Sequence, residues 1–312
     1  FPEEHSHLKQ GLGWAVLLHR HGSRKRDGHA ARTAFIRADR VGVHDLASRF
    51  PQFALLQQCR ASVFGLGCMG APSVLEFARA GMRTIRMLDH DRVEAGTVVR
   101  WPFGIGAAGL PKARVLFDVV NRDYPWVNLE AFGTRIGTAN QNPPERDVIE
   151  RMTADADIIY DATAEVGVQQ VLSDVARVKR TPYICLSATY GGWGGMVARF
   201  NHRPDSGCWW CFQAALDHEI PLPASDPSGT VQPAGCNRVT YVGANFDLME
   251  VTLQGVRLAI ATLAARKGDV AADYPWDVAV VNLRDERGKP IAPRWSVHSL
   301  ARNPECPVCG RD

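Results

Sequence analysis

From Ala61 onward, short apolar runs alternate with stretches whose apolar residues recur at helical spacing. Ala61–Phe64, Thr84–Leu88, Asn128–Gly133, Ala156–Tyr160 and Tyr183–Ser187 read as strands, the first of them a buried one. Between them, Ala71–Ala80, Lys112–Val120, Asp147–Thr153 and Val168–Arg180 read as helices, with a break over Asn121–Pro125. Such alternation predicts an α/β fold, a doubly wound and mostly parallel Rossmann-like sheet. The pattern changes at Thr189. TYGGWGGMVARF reads as antiparallel hairpin material, Pro221–Gly235 as a mobile loop, and Thr240–Ala265 as one long helix entered through Gly243. Val278–Leu283 and Trp295–His298 are late strands, so the C-terminal portion is expected to be antiparallel.

The first 50 residues fit this frame poorly. Gly13–His19 reads as a strand, Ser23–His29 as a polar loop, and Val43–Phe50 and Ala54–Gln58 as helices; His5 and His7 read as a surface pair. Residues 1–50 are therefore set apart as a segment of their own, open to being the tail of a preceding domain, and residues 51–312 as the main domain. The chain opens at Phe1 with no Met, which reads as a fragment.

The strand Ala61–Phe64 runs into G-x-G-x-x-G, made by Gly65, Gly67 and Gly70, and then into a helix. A glycine turn between strand and helix lets backbone N–H groups approach a phosphate beside the positive end of the helix dipole. The second strand ends in Asp89, about twenty residues on, where a ribose-binding acid belongs. Together these predict a nucleotide at the carboxyl ends of the strands, where Asp161 also falls.

A net charge of +3 gives no ground for nucleic-acid binding. No apolar run reaches membrane-spanning length, since the longest candidate, Val251–Ala265, is broken by Gln254 and Arg257. With no secretory signal visible, the chain is expected in the cytoplasm. Of eight cysteines, four form the pairs Cys208/Cys211 and Cys306/Cys309. Two C-x-x-C knuckles supply the four thiolates that a closed, structural Zn²⁺ site requires, which is favoured here over a redox disulfide. Cys59, Cys68 and Cys185 read as packing residues.

Taken in order, these motifs resemble the E1-like adenylating enzymes, the ThiF/MoeB group and the ubiquitin-like activating enzymes. GLGCMG is similar to the family's glycine-rich ATP loop, MLDHDRV with Asp89 and Asp91 to its D-x-D-x-V block, and GLPKA to the segment bearing its lysine. The resemblance implies binding of ATP and Mg²⁺, with Arg100 and Lys112 offsetting phosphate charge, Asp161 on magnesium, and Gly65, Gly67, Gly70, Asp89 and Asp91 on the nucleotide. It also implies a partner, a ubiquitin-like or sulfur-carrier protein whose C-terminal glycine carboxylate becomes an acyl-adenylate. Residues 51–312 are then an adenylation domain with a crossover loop near 212–240. Thr97 stands in place of the family's usual asparagine, and Thr163-Ala164-Glu165 in place of T-D-N.

Cys236 follows the Pro/Gly/Ser loop, precedes the expected long helix and has Arg238 nearby, so its thiolate would be stabilised. In the resemblance it is the residue open to thioester formation, the alternative being a structural thiol. A homodimer is implied, with Arg40 or Arg49 as a residue lent to the neighbouring subunit, and an E2-like or sulfur-acceptor protein downstream. Two rivals stand beside this reading. A nicotinamide-dependent oxidoreductase would use the glycine loop and Asp89 but not Arg100, Lys112 or the zinc cage. A non-catalytic module would dock a ubiquitin-like protein without activating it.

Overall fold

The computed structural model describes residues 2–3, 11–12, 15–21, 32–38, 42–138, 142–231 and 240–310. The chain divides into two compact units, Phe1–Ala54 and Leu55–Asp312. In the first, Ala15–Arg20 pairs antiparallel with Arg32–Arg37, and Val43–Ala47 is a short helix. A further helical turn spans Phe53–Leu56. His5, His7, Ser23–His29 and Arg40 lie outside the described residues.

The second unit is built on one eight-stranded sheet. Its strands are β1 (Arg60–Phe64), β2 (Thr84–Leu88), β3 (Asn128–Phe132), β4 (Ile158–Asp161), β5 (Tyr183–Ala188), β6 (Gly194–Phe200), β7 (Val278–Arg284) and β8 (Pro290–His298). The spatial order is β8-β7-β6-β5-β4-β1-β2-β3. β3, β2, β1, β4 and β5 are parallel neighbours, whereas β5–β6, β6–β7 and β7–β8 are antiparallel. The expected parallel sheet with an antiparallel C-terminal portion is what forms. β8 occupies the edge, where Pro290 and Pro293 remove no ladder bond from an inner strand.

Helices α1 (Gly70–Arg79), α2 (Lys112–Asp123), α3 (Glu145–Thr153), α4 (Val166–Lys179), α5 (Trp209–His218) and α6 (Asn245–Arg266) complete the unit. α2 runs three residues past Val120, through the expected break, and stops at Tyr124 before Pro125. α6 begins at Asn245 rather than near Thr240, because Thr240–Tyr241 is spent on a short antiparallel strand with Thr230–Val231. α6 is, by length and composition, apolar enough to cross a membrane, contrary to the sequence reading. Its Leu248, Val251, Leu258, Ala259 and Leu263 are buried, and it packs on β5, β6 and α1 as a core helix.

Side chains alternate between the faces of the sheet. Ile159 joins Phe64, Leu172, Phe200, Phe212 and Trp209 in one core cluster that includes residues of α3, α4 and α5. Tyr160, its neighbour in β4, meets Phe77 of α1 edge to face and donates to or accepts from Ser73 Oγ at 2.9 Å. Gly255 of α6 exists because of that tyrosine, since a Cβ there would lie 2.5 Å from its hydroxyl. Gly255→Ala is therefore expected to destabilise the unit by about 1–3 kcal/mol, the usual range for overpacking. In a Tyr160→Phe background the same change should cost clearly less, because the clashing oxygen is gone. Urea unfolding midpoints of the four-member cycle give the measurement.

Candidate active site

A cavity of about 780 Å³ opens at the carboxyl ends of β1, β2 and β4, where the strand order reverses direction. The glycine turn forms its floor. Gly65 takes a φ of +80°, and a Cβ there would come within 2.8 Å of Thr163 N, so only glycine fits between β1 and the loop after β4. A Cβ on Gly70 would collide with the Gly65 carbonyl. Gly67 has open space where a Cβ would sit and lines the cavity, leaving its backbone accessible to a ligand. Asp89 ends β2 nearly buried, with Oδ2 accepting from Leu66 N and Oδ1 from Asp91 N, both at 2.7 Å. It lies at the cavity wall.

Backbone bonds bring Lys112 to this place. Val93 N donates to Leu110 O at 2.9 Å, Gly109 N to Val93 O at 2.7 Å and Lys112 N to Asp91 O at 3.0 Å. This strip sets the start of α2 beside the D-x-D block. Lys112 Nζ then stands 3.0 Å from Asp91 Oδ2 and 3.9 Å from Asp89 Oδ2. Arg100 follows the 3₁₀ turn Ala95–Val99 and is 8% exposed. Its guanidinium donates to Tyr241 O and to Thr240 Oγ1, and its Cζ lies 4.8 Å over the Tyr241 ring. Trp101 beside it donates from Nε1 to Leu66 O at 2.8 Å. Both basic residues are thus held by groups of the same cavity as the glycine turn.

Asp161 departs from expectation. It is fully buried and is not part of the cavity wall. Oδ1 accepts from Thr163 N at 2.8 Å and Thr163 Oγ1 at 2.6 Å, and Oδ2 accepts from the Tyr183 hydroxyl at 2.8 Å. Burial raises its carboxyl above the usual range, against those hydrogen bonds. The two Thr163 bonds tie it to the turn after β4. That turn puts Ala164 in left-handed backbone, φ +55°, and Glu165 on the cavity wall.

Cys68 is not packed away, as its sequence context suggested. It is partly exposed at the cavity, with Sγ 3.5 Å from the Tyr241 hydroxyl. Cys59 and Cys185 are buried, and burial pushes the Cys59 thiol up to about 11. Cys236 and Arg238 lie outside the described residues; the helix expected beside them begins only at Asn245.

The four paired cysteines converge. Cys208 caps α5 and Cys211 sits in its first turn, while Cys306 and Cys309 approach from the C-terminal turn. Sγ–Sγ distances are 3.6 Å for Cys208–Cys306, 3.4 Å for Cys211–Cys309 and 3.9 Å for Cys208–Cys211. A tetrahedral metal with bonds of about 2.3 Å to sulfur needs edges of about 3.8 Å, so the donor set fits zinc. Burial alone would raise Cys306, but N–H groups of Cys309 and Val308, with hydrogen bonds to the Cys208 and Cys211 thiols, together bring it down to about 7.

Sequence reasoning missed several cavity residues, among them Arg135, Ile136, Thr240 and Tyr241. None belongs to a motif; only the fold brings them in.

The model of the ThiF family matches residues 46–272. Uncharacterized protein y4oA of Sinorhizobium fredii is 34% identical across 96% of this chain, which spans about half (51%) of that relative's length. The sulfur carrier protein ThiS adenylyltransferase of Escherichia coli is 25% identical over 80% of this chain and 84% of its own. Among solved structures, E. coli MccB with AMPCPP and MccA shares the fold at a TM-score of 0.62, with 13% identity over 85% of this chain and 70% of that one. The likeness first visible in the glycine turn, the D-x-D block and GLPKA therefore extends over most of the chain, and this protein belongs to the ThiF family of E1-like proteins.

Proposed function

We propose that this chain adenylates the C-terminal carboxylate of a ubiquitin-like or sulfur-carrier protein, using ATP. The observation that carries the reading is the gathering of Gly67, Asp89, Arg100 and Lys112 around one cavity at the strand-order switch. Relatives named for adenylating ThiS and for molybdopterin-synthase adenylation support the substrate class.

On this reading the open backbone of Gly67 meets phosphate, and Asp89 offers remaining lone pairs to the ribose hydroxyls. Lys112 exchanges Asp91 for phosphate oxygen, and Arg100 opposes the charge that grows on the leaving group. A carboxylate oxygen of the partner bonds to the α-phosphorus while the α–β P–O bond breaks and pyrophosphate leaves with the electron pair. Four basic side chains of the cavity, Arg92, Arg100, Lys112 and Arg135, face five carboxylates, Asp89, Asp91, Glu94, Glu145 and Glu165. Such a balanced wall does not offset a triphosphate, which argues for a divalent cation arriving with it. Glu165, on the wall, suits that cation; buried Asp161 does not, and Ala164 has no side-chain oxygen. The same fold is proposed to work as a homodimer, with Zn²⁺ held by Cys208, Cys211, Cys306 and Cys309 in a closed structural role.

Pyrophosphate exchange into ATP, stimulated by the cognate partner, is the direct assay. Lys112→Ala and Arg100→Ala should each reduce it by about 100-fold or more, in line with loss of a charge-stabilising group. Nicotinamide binding without exchange would instead favour an oxidoreductase, and partner binding without exchange a passive docking module.

Elemental analysis should find one zinc per chain, lost in Cys306→Ser/Cys309→Ser together with several degrees of melting temperature. Because protons compete for the thiols, zinc affinity should fall steadily as the pH drops, and loading should release protons.

If Cys236 accepts the activated carboxylate, a thiol-reducible adduct with the partner will vanish in Cys236→Ala while exchange persists. An adduct that survives the substitution, or none in the native chain, assigns Cys236 a structural role.

A further inference from the structure

We infer that Thr240 and Tyr241, where the crossover segment re-enters the domain, are positioning residues that hold Arg100 for the nucleotide phosphates; this rests on the nucleotide reading above. A free arginine side chain samples many rotamers, and fixing it costs entropy at the moment of binding. Here that ordering is done in advance. Nη1 donates to the Tyr241 carbonyl and Nη2 to Thr240 Oγ1 at 2.7 Å, while the Tyr241 ring lies under the guanidinium at 4.8 Å. A guanidinium has five N–H donors, so these contacts leave Nε–H and one N–H on each Nη. Nε is buried and has no hydrogen-bond partner. Arg100 lines the cavity, where a phosphate oxygen can accept from the remaining Nη N–H groups.

The contacts close into a ring. Trp101, next in sequence to Arg100, donates to Leu66 O of the glycine turn at 2.8 Å. The Tyr241 hydroxyl meets Cys68 Sγ, two residues further along that turn, at 3.5 Å. The turn, the arginine and the end of the crossover are therefore one assembly. Pairing of Thr240–Tyr241 with Thr230–Val231 gives the strand its own support.

The test uses the full chain carrying Thr240→Val, Thr240→Ser, Tyr241→Ala or Tyr241→Phe, alone and with Arg100→Ala. ATP affinity is read by calorimetry, exchange by kcat/KM for ATP, and Cys68 reactivity by iodoacetamide labelling with peptide mass mapping. Thr240→Val, which removes one hydrogen bond to the guanidinium, and Tyr241→Ala, which keeps the carbonyl acceptor but removes the ring beneath it, should each lower kcat/KM about tenfold, whereas Thr240→Ser should retain most of it. In the Arg100→Ala background neither should matter further. Tyr241→Ala should speed Cys68 labelling several-fold, and Tyr241→Phe less. Losses that multiply with Arg100→Ala, or Cys68 labelling indifferent to Tyr241→Ala, overturn the inference. If Tyr241→Ala does not fold, the Thr240→Val and Thr240→Ser pair decides. A native chain that binds ATP but exchanges no pyrophosphate defeats the adenylation reading alone, and the affinity cycle then judges the positioning role. A native chain that binds no ATP defeats both.

Discussion

Asp89 accepts the Leu66 N–H with one carboxylate oxygen and the Asp91 N–H with the other, each at 2.7 Å. Those two bonds lock the glycine turn to the segment after β2. Through Asp91 they reach Lys112, whose backbone N–H and ammonium both lie at 3.0 Å from that residue. Through Leu66 they reach Trp101 and so Arg100. A nearly buried carboxylate with both oxygens satisfied by backbone donors is held rigidly, and the geometry of the cavity wall is inherited from it.

The eight-stranded sheet was legible because β1, β2, β4 and β5 are mostly apolar runs and the helices between them have regular periodicity. The glycine turn and the two cysteine pairs were legible for a different reason: each needs particular residue types at fixed spacing. What escaped depended on contacts distant in sequence. Asp161 sits at a strand end as a ligand would, yet Tyr183 of the neighbouring strand and Thr163 of its own loop take up its oxygens. Cys68 looks like a small packing residue until Tyr241 is brought to it from 173 positions away. Thr240–Tyr241 carries helix-like periodicity, but pairing with Thr230–Val231 overrides the local preference.

A buried and an exposed carboxylate meet at the mouth of the sheet. Asp161 is hydrogen-bonded into the turn after β4, where it serves the backbone. Glu165, four residues later and exposed to the cavity, is placed where a charge can meet a ligand. The left-handed backbone at Ala164 between them turns the chain from one environment to the other.

The sulfur cluster joins α5 to a turn 98 positions downstream. Its last two donors follow every strand and helix of the second unit. During synthesis, the parallel strands and α5 are made well before those donors emerge, so metal capture must come late. A chain cut short anywhere ahead of Cys306 would have half a cage and no means of closing it. Closure of that cage is thus a chemical record that translation passed the last strand of the sheet.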